Sequence, residues 1–313
     1  MRSFLRFSAV AAMAAAAFVT HIGAAQAQAT RTFVSGHGSD TGTCGVTAPC
    51  RSFAYAAPQT ASGGEITVLD SAGYGPVTIA QPLTITNPGG VEAGVTATSG
   101  VIAVTVTVTS GTVVLRGLTL EGVGVGATGV SMSSTLIGTA TLDIIDCVIK
   151  DFAGNGIAIS TTSTSIRQLI AVVDNTRSLN NVGTGLLVQA SNAAQVLLQV
   201  YQSTFDGNAT GVSLAYGNVT LGYGSLFANS HADANTNGGI DLTNSSASLI
   251  MKNSTAINNL GGGSLIVAND ATVYLFDSNV IDSFNMAGSC CAAGDGTNDL
   301  FDLPGGLTTF TKH

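Results

Sequence analysis

The 313 residues contain no tryptophan, and charged side chains make up only 9% of them, against about 25% in an ordinary globular chain. Lys and Glu are scarce, which removes the strong charged helix formers and argues against a helical fold. Lys and Arg number ten in all, too few for the clustered basic surface that nucleic acid requires or for attraction to anionic lipid. No apolar run reaches the roughly 20 residues that span a bilayer. Asp-Asp pairs, Arg-x-Lys, a Gly-rich phosphate loop before a helix and a Ser-centred nucleophile elbow are all absent. What fills the sequence instead is Ser, Thr, Asn and 39 Gly, with 45% hydrophobic residues. That is the composition of an all-β chain able to bury a core.

The first thirty residues have the pattern of a signal peptide. Arg2 and Arg6 form a basic start, Ser8 to Val19 is apolar, and small-x-small sites follow at Ala25-Gln26-Ala27 and Ala27-Gln28-Ala29. Cleavage there leaves 18 acids against eight bases, a net charge of about −10. The five cysteines are then bound for an oxidising compartment. Cys44 and Cys50 flank Gly45 and Pro49 at a spacing suited to a small disulfide loop. Cys147 lies in an apolar-alternating run and reads as a buried small hydrophobe. Cys290 and Cys291 are adjacent, and their pairing, with each other, with Cys147 or with nothing, stays open.

A repeat organises the rest. Small-Gly-apolar segments recur with first apolar residues Val130, Ile157, Leu186, Val212, Ile240 and Leu265, at spacings of 27, 29, 26, 28 and 25. A second pattern interleaves with it near Leu118, Val148, Leu179 and Phe205. Each unit holds two or three short alternating strands between Gly, Asn and Ser turns, and cannot bury its own apolar face. Stacking units about 4.8 Å apart makes one continuous core inside a coil. The expected fold is therefore a single-stranded right-handed parallel β-helix. Its divisions are a signal peptide over 1–29, an N-terminal cap over 30–62, the coil over 63–285, and a C-terminal cap or tail over 286–313. Asparagines recur after the second strand, and Asn180, Asn208, Asn229 and Asn258 are expected to stack as a turn ladder. In-register stacking also puts Arg116 and Asp146 at equivalent positions, and approximately so Glu121, Lys150, Asn180, Asp206, Asn258 and Asp282. That column of mixed sign reads as a solvated turn ladder.

The start of the expected mature chain carries Val34, Ser35, Gly38 and Asp40, then Pro49, Ser52, Phe53 and Ala56, continued by Gly63–Asp70 and Gly73–Ile79. This resembles the opening of secreted right-handed β-helix proteins of the pectin-lyase-like superfamily, in which the Pro-x-x-Ser-Phe-x-x-Ala stretch starts a short capping helix. The resemblance implies the fold. It implies activity weakly, because that superfamily holds lyases, hydrolases, epimerases and non-catalytic surface proteins.

Lyases of that kind hold calcium with several Asp on one face and use Lys or Arg as base. The candidates here are Asp143, Asp146, Asp151 and Arg177. The hydrolase branch of the superfamily carries Gly-His-Gly in later rungs; Gly36-His37-Gly38 lies in the expected cap, ahead of any rung. Histidines share no ligand spacing with cysteine, so no metal site is expected, and His231-Ala232-Asp233 reads as exposed polar surface in an insertion loop. The resulting expectation is an exported, non-catalytic β-helix that binds glycan or serves as an adhesive or structural module. The alternative is a polysaccharide lyase acting on acidic polymer, with calcium as its cofactor. Polysaccharide is the expected partner, with neither nucleic acid nor membrane insertion, and the oligomeric state is open.

Overall fold

In the computed structural model the described residues are 28–216, 225–243, 248–267 and 271–281, together with the backbone of Phe284–Met286, Cys291–Gly294, Asp299–Leu300 and Leu307–Thr309. Among the described residues no strand pairs with its sequence neighbour as a hairpin. Each ladder instead joins residues about one repeat apart, and does so in parallel. Val130, Ile157, Leu186, Val212, Ile240 and Leu265 are successive partners in one column, preceded by Val77 and Val104. The repeat read from the sequence is thus the rung of a solenoid of about nine turns.

Three sheets wrap the core. Sheet I runs from Val77–Ile79 through Ile102–Val106 and Thr128–Thr135 to Leu265–Val267 and Phe284–Met286. Sheet II runs from Thr60–Val68 through Gly111–Arg116 and Ala140–Ile145 to Thr272–Phe276 and beyond. Two long strands, Ile157–Asp174 and Thr184–Tyr201, bend from sheet I into sheet II. Sheet III is narrow: Ala93–Thr96, Leu118–Glu121, Val148–Lys150 and Arg177–Leu179, then single bridges at Thr204 and His231. Alternate residues point inward, so Met132, Ile159, Val188 and Leu214 stack behind one another, each fully or almost fully buried. Burial of such a side chain contributes about 1.5–3 kcal/mol, and no rung obtains it without its neighbours. Backbone pairing continues past residue 285, through Asp299–Leu300 and Leu307–Thr309.

The corners are made by residues in the left-handed region. Between sheets II and III these are Gly117, Asp146, Asn175, Gln202, Asn229, Asn253 and Asp277. Just inside that corner a buried hydroxyl column takes over. The N–H of Thr176 donates to Ser203 Oγ (3.1 Å), Ser203 to Ser230 (3.1 Å), Ser230 to Ser254 (3.2 Å) and Ser254 to Ser278 (3.3 Å). Each of these hydroxyls donates to the carbonyl two residues back. Cys147 heads the column, its N–H donating to Thr176 Oγ1.

The register corrects one expectation. Arg116 pairs with Ile145, then Asp174 and Tyr201, so Asp146 lies one residue further on, at the corner. A corner residue turns the chain and cannot share an outward position on the strand before it. Glu121 and Lys150 are true partners, and the next in line is Leu179.

At the N-terminal end, Ala29–Val34 pairs with Thr60–Val68, and the helix Phe53–Gln59 packs Phe53, Ala56 and Ala57 inward. Ser52 accepts from the Tyr55 N–H, while Asp40 accepts from the N–H groups of Arg51 and Ser52. Cys44 and Cys50 form the disulfide. Gly38 is required by close approach, since a Cβ there would run into the Cys50 carbonyl.

Candidate functional site

Sheet III is short because a corner bounds it on either side, leaving each rung one or two outward positions. From Arg177 onward the first of them is polar. Arg177, Thr204, His231 and Thr255 are partners in one column, and Asn279 continues it. Two residues further along in each rung stand Asp206 and Asp233. Their carboxylates act as extra rung-to-rung acceptors. Asp206 Oδ1 accepts from the Asp233 N–H at 2.8 Å. Asp233 accepts from Thr255 Oγ1 at 2.8 and 3.0 Å and from the Ile257 N–H at 2.9 Å. His231 Nδ1 lies 2.8 Å from Thr255 Oγ1 and 3.8 Å from Asp233 Oδ2.

Burial holds the Asp206 carboxyl above the usual carboxylate range. The Asp233 N–H and the neighbouring His231 and Arg177 side chains pull it the other way, while the Asp233 charge pushes it further up. One strip thus collects two carboxylates, an imidazole, a guanidinium and hydroxyls on successive rungs. Open grooves lie on sheet III. One of about 340 Å³ is lined by Asn229, His231, Asn253, Thr255 and Asp277. Another of about 300 Å³, at the opposite end, is lined by Gly73, Gly94, Thr96, Thr119 and Glu121.

The residues singled out in the sequence fall on different faces. Asp143 points outward from sheet II, where burial raises its pKa against the influence of Arg116. Asp146 is at the corner between sheets II and III, accepting from Asn175 Nδ2 at 2.8 Å. Asp151 is at the corner after sheet III, 3.5 Å from Lys150 Nζ, which also bonds Glu121 at 2.9 Å. Arg177 alone of the four lies in the strip. His231 and Asp233 are expected from the sequence in an insertion loop, and the structure corrects this: His231 is in register with Thr204 and Thr255, and Asp233 bonds Asp206 and Ile257 on the rungs either side. Polar-apolar-polar triplets at Thr204-Phe205-Asp206 and His231-Ala232-Asp233 carry that register, and Thr255-Ala256-Ile257 continues it with an apolar third position; Phe205, Ala232 and Ala256 are buried.

The four ladder asparagines occupy three columns. Asn208 belongs to a buried one with Asn181, Asn235 and Asn259. Asn180 and Asn258 are exposed left-handed residues at the corner after sheet III, and Asn229 is at the other corner, accepting from Asn253 Nδ2 at 2.7 Å. Cys147 is a free thiol, buried, its pKa pushed up to about 11 by burial. Residues 1–27 and Cys290 lie outside the described residues, as do the side chain of Cys291 and Asp282. Among the described residues no group of three or more His, Cys, Asp or Glu could hold a metal ion, and no helix is long and apolar enough to cross a membrane.

The family model for the right handed beta helix region matches residues 128–300. Among solved structures, the crystal structure of pectate lyase Pel9A superposes with a TM-score of 0.52 at 16% identity, covering 89% of this chain and 73% of that one. A likeness at that identity is one of fold. No curated protein matches the chain.

Proposed function

From its membership of the right-handed β-helix family, we propose that the chain is an exported protein that binds a polysaccharide along sheet III without cleaving it. The observation that carries this reading is the strip itself: Arg177, Thr204, His231, Thr255 and Asn279 at one polar group per rung. Rungs are about 4.8 Å apart, so donors and acceptors repeat at close to the length of a sugar residue. Grooves at both ends let an extended chain run on. Recognition is favoured over catalysis because both carboxylates and one imidazole nitrogen of the strip are already engaged. Asp233 accepts from a hydroxyl and a backbone N–H, Asp206 from a backbone N–H, and His231 Nδ1 is at hydrogen-bond distance from Thr255. A general base needs a free position within reach of the proton it takes. Export is supported by the leader-like start, by the Cys44–Cys50 bridge, and by the first strand, which opens at Ala29, beside the small-x-small sites.

The clustering of Arg177, Asp206, His231 and Asp233 also supports a second reading, an elimination on acidic polysaccharide. One experiment separates the two. The mature protein is screened against neutral and acidic polysaccharides, with and without calcium, for binding and for absorbance of unsaturated products. The expected result is binding without product, weakened about tenfold by Arg177→Ala or His231→Ala. Product formation that is lost in Asp206→Asn establishes the lyase instead. Binding to nothing across the panel removes both.

A further inference from the structure

The outward face of sheet II is the apolar side of the solenoid. Two columns form it. One runs Val114, Asp143, Val172, Gln199, Leu226, Ile250, Tyr274, and beside it runs Arg116, Ile145, Asp174, Tyr201, Ala228, Lys252, Phe276. Val114, Ile145, Val172, Leu226 and Ile250 are half-buried rather than covered, and Tyr274 and Phe276 are 38% and 37% exposed. Contiguous apolar surface of this kind marks an interaction site. Several polar groups on it, Arg116 among them, form no ion pair or side-chain hydrogen bond among the described residues. Asp174 and Lys252 form no ion pair among the described residues. Asp143 Oδ1 is out of contact with solvent and has no hydrogen-bond partner.

These features fit one occupant. A two-fold axis parallel to the strands lets each column face itself with the rung order reversed, an isologous contact between antiparallel solenoids. Placed between the Tyr201 and Ala228 rungs, the axis sets Asp174 against Lys252 and Ile145 against Phe276. The same axis sets Val172 against Ile250 and brings Tyr274, a hydroxyl donor, opposite Asp143. Other placements fail on charge. Half a rung earlier Lys252 meets Ile145, a full rung earlier it meets Arg116, and half a rung later Asp174 meets Phe276. We propose that this face binds a second copy of the chain about that axis, with paired Asp174–Lys252 contacts flanking a centre of Gln199, Tyr201, Leu226 and Ala228. The contact leaves sheet III open on both copies.

Sedimentation of the mature chain over a concentration series tests this. The expected result is a monomer–dimer equilibrium in which Asp174→Lys and Lys252→Asp each raise the Kd by about tenfold or more, because each leaves like charges opposed. The two single variants mixed in equal amounts are expected to associate, since one then opposes two lysines to two aspartates. The double reversal within one chain restores the dimer. Ile250→Arg abolishes it at every salt concentration. A chain that stays monomeric at all concentrations overturns the proposal. So does a dimer indifferent to the single reversals, or single variants that fold by circular dichroism yet fail to associate when mixed.

Discussion

Asn181 and Asn208, one rung apart, are joined twice: Asn208 Oδ1 accepts both the Asn181 N–H at 3.0 Å and Asn181 Nδ2 at 2.9 Å. Both side chains are buried, and Asn208 Nδ2 also reaches the Ser178 carbonyl at 3.0 Å. Asn208→Ala therefore strands two donors and an acceptor away from water. Each orphaned group costs about 1–3 kcal/mol, so a loss of about 3 kcal/mol or more is expected in urea unfolding. Asn180→Ala, one position before and exposed, is expected to cost about 1 kcal/mol for its left-handed backbone. Equal effects from the two would mean that the buried ladder contributes little.

The corner after sheet III has Asp151, Asn180, Gly207, Ala234 and Asn258 in the left-handed region, with φ of 59°, 54°, 68°, 55° and 54°. Ala234 is the misfit, because its Cβ crowds the following carbonyl and it has no amide with which to compensate. Ala234→Gly is expected to raise stability by about 0.5 kcal/mol, strain relief outweighing the added entropy of the unfolded chain. Gly207→Ala is expected to cost more than the backbone term alone, since a Cβ there would sit 2.5 Å from Asn180 Oδ1. Thermal unfolding of both variants checks the pair, and a destabilised Ala234→Gly would refute the strain argument.

The architecture was legible because parallel stacking writes itself into spacing. Val130, Ile157, Leu186, Val212, Ile240 and Leu265 had to be near one period apart to sit behind one another, and they do. The strip on sheet III was not legible in the same way. At Thr204 and His231 that sheet shrinks to one bridged residue per rung, too short to show alternation, so His231-Ala232-Asp233 looked like loop. The asparagines were visible as a recurrence, yet neighbours such as Asn180 and Asn181 serve opposite sides of one corner, which composition does not separate. Asp143, Asp146 and Asp151 are close in sequence, but the corners between them send each to a different face.

Cys147 stands where later rungs carry Thr176, Ser203, Ser230, Ser254 and Ser278. Its thiol points to the Ile145 carbonyl at 3.2 Å, as those hydroxyls point to theirs. Cys147→Ser is expected to fall within about 1 kcal/mol of the native protein, because a serine finds both ladder bonds ready. Cys147→Val leaves the apolar packing and removes the bond to the Ile145 carbonyl, at a cost of about 1–2 kcal/mol. Alkylation followed by peptide mapping should find Cys147 unmodified in the native protein, since the thiol is buried and its pKa is pushed up to about 11. Rapid native labelling of that peptide would place it at the surface.

Asp70 ties the first turns of the chain together. It accepts from the Ser35 hydroxyl at 2.6 Å, from the Gly36 N–H at 2.6 Å and from the Tyr74 hydroxyl at 2.6 Å. The hydroxyl of Ser35 above all, then that of Tyr74 and the Gly36 N–H, hold its carboxyl down to about 2. In the unfolded chain the group titrates at about 3.9. A folded-state pKa below the unfolded one means that the unfolded state binds more protons in the window between them, so stability rises with pH there. The contribution is fully present above about pH 4 and is lost as pH falls through about 2. Asp70→Asn is accordingly expected to lower the Tm at pH 6, with the gap to the native protein narrowing steadily as pH drops across that window. A gap of constant size from pH 6 to pH 2 would show that the carboxylate charge plays no part, and that the amide fails there only by shape.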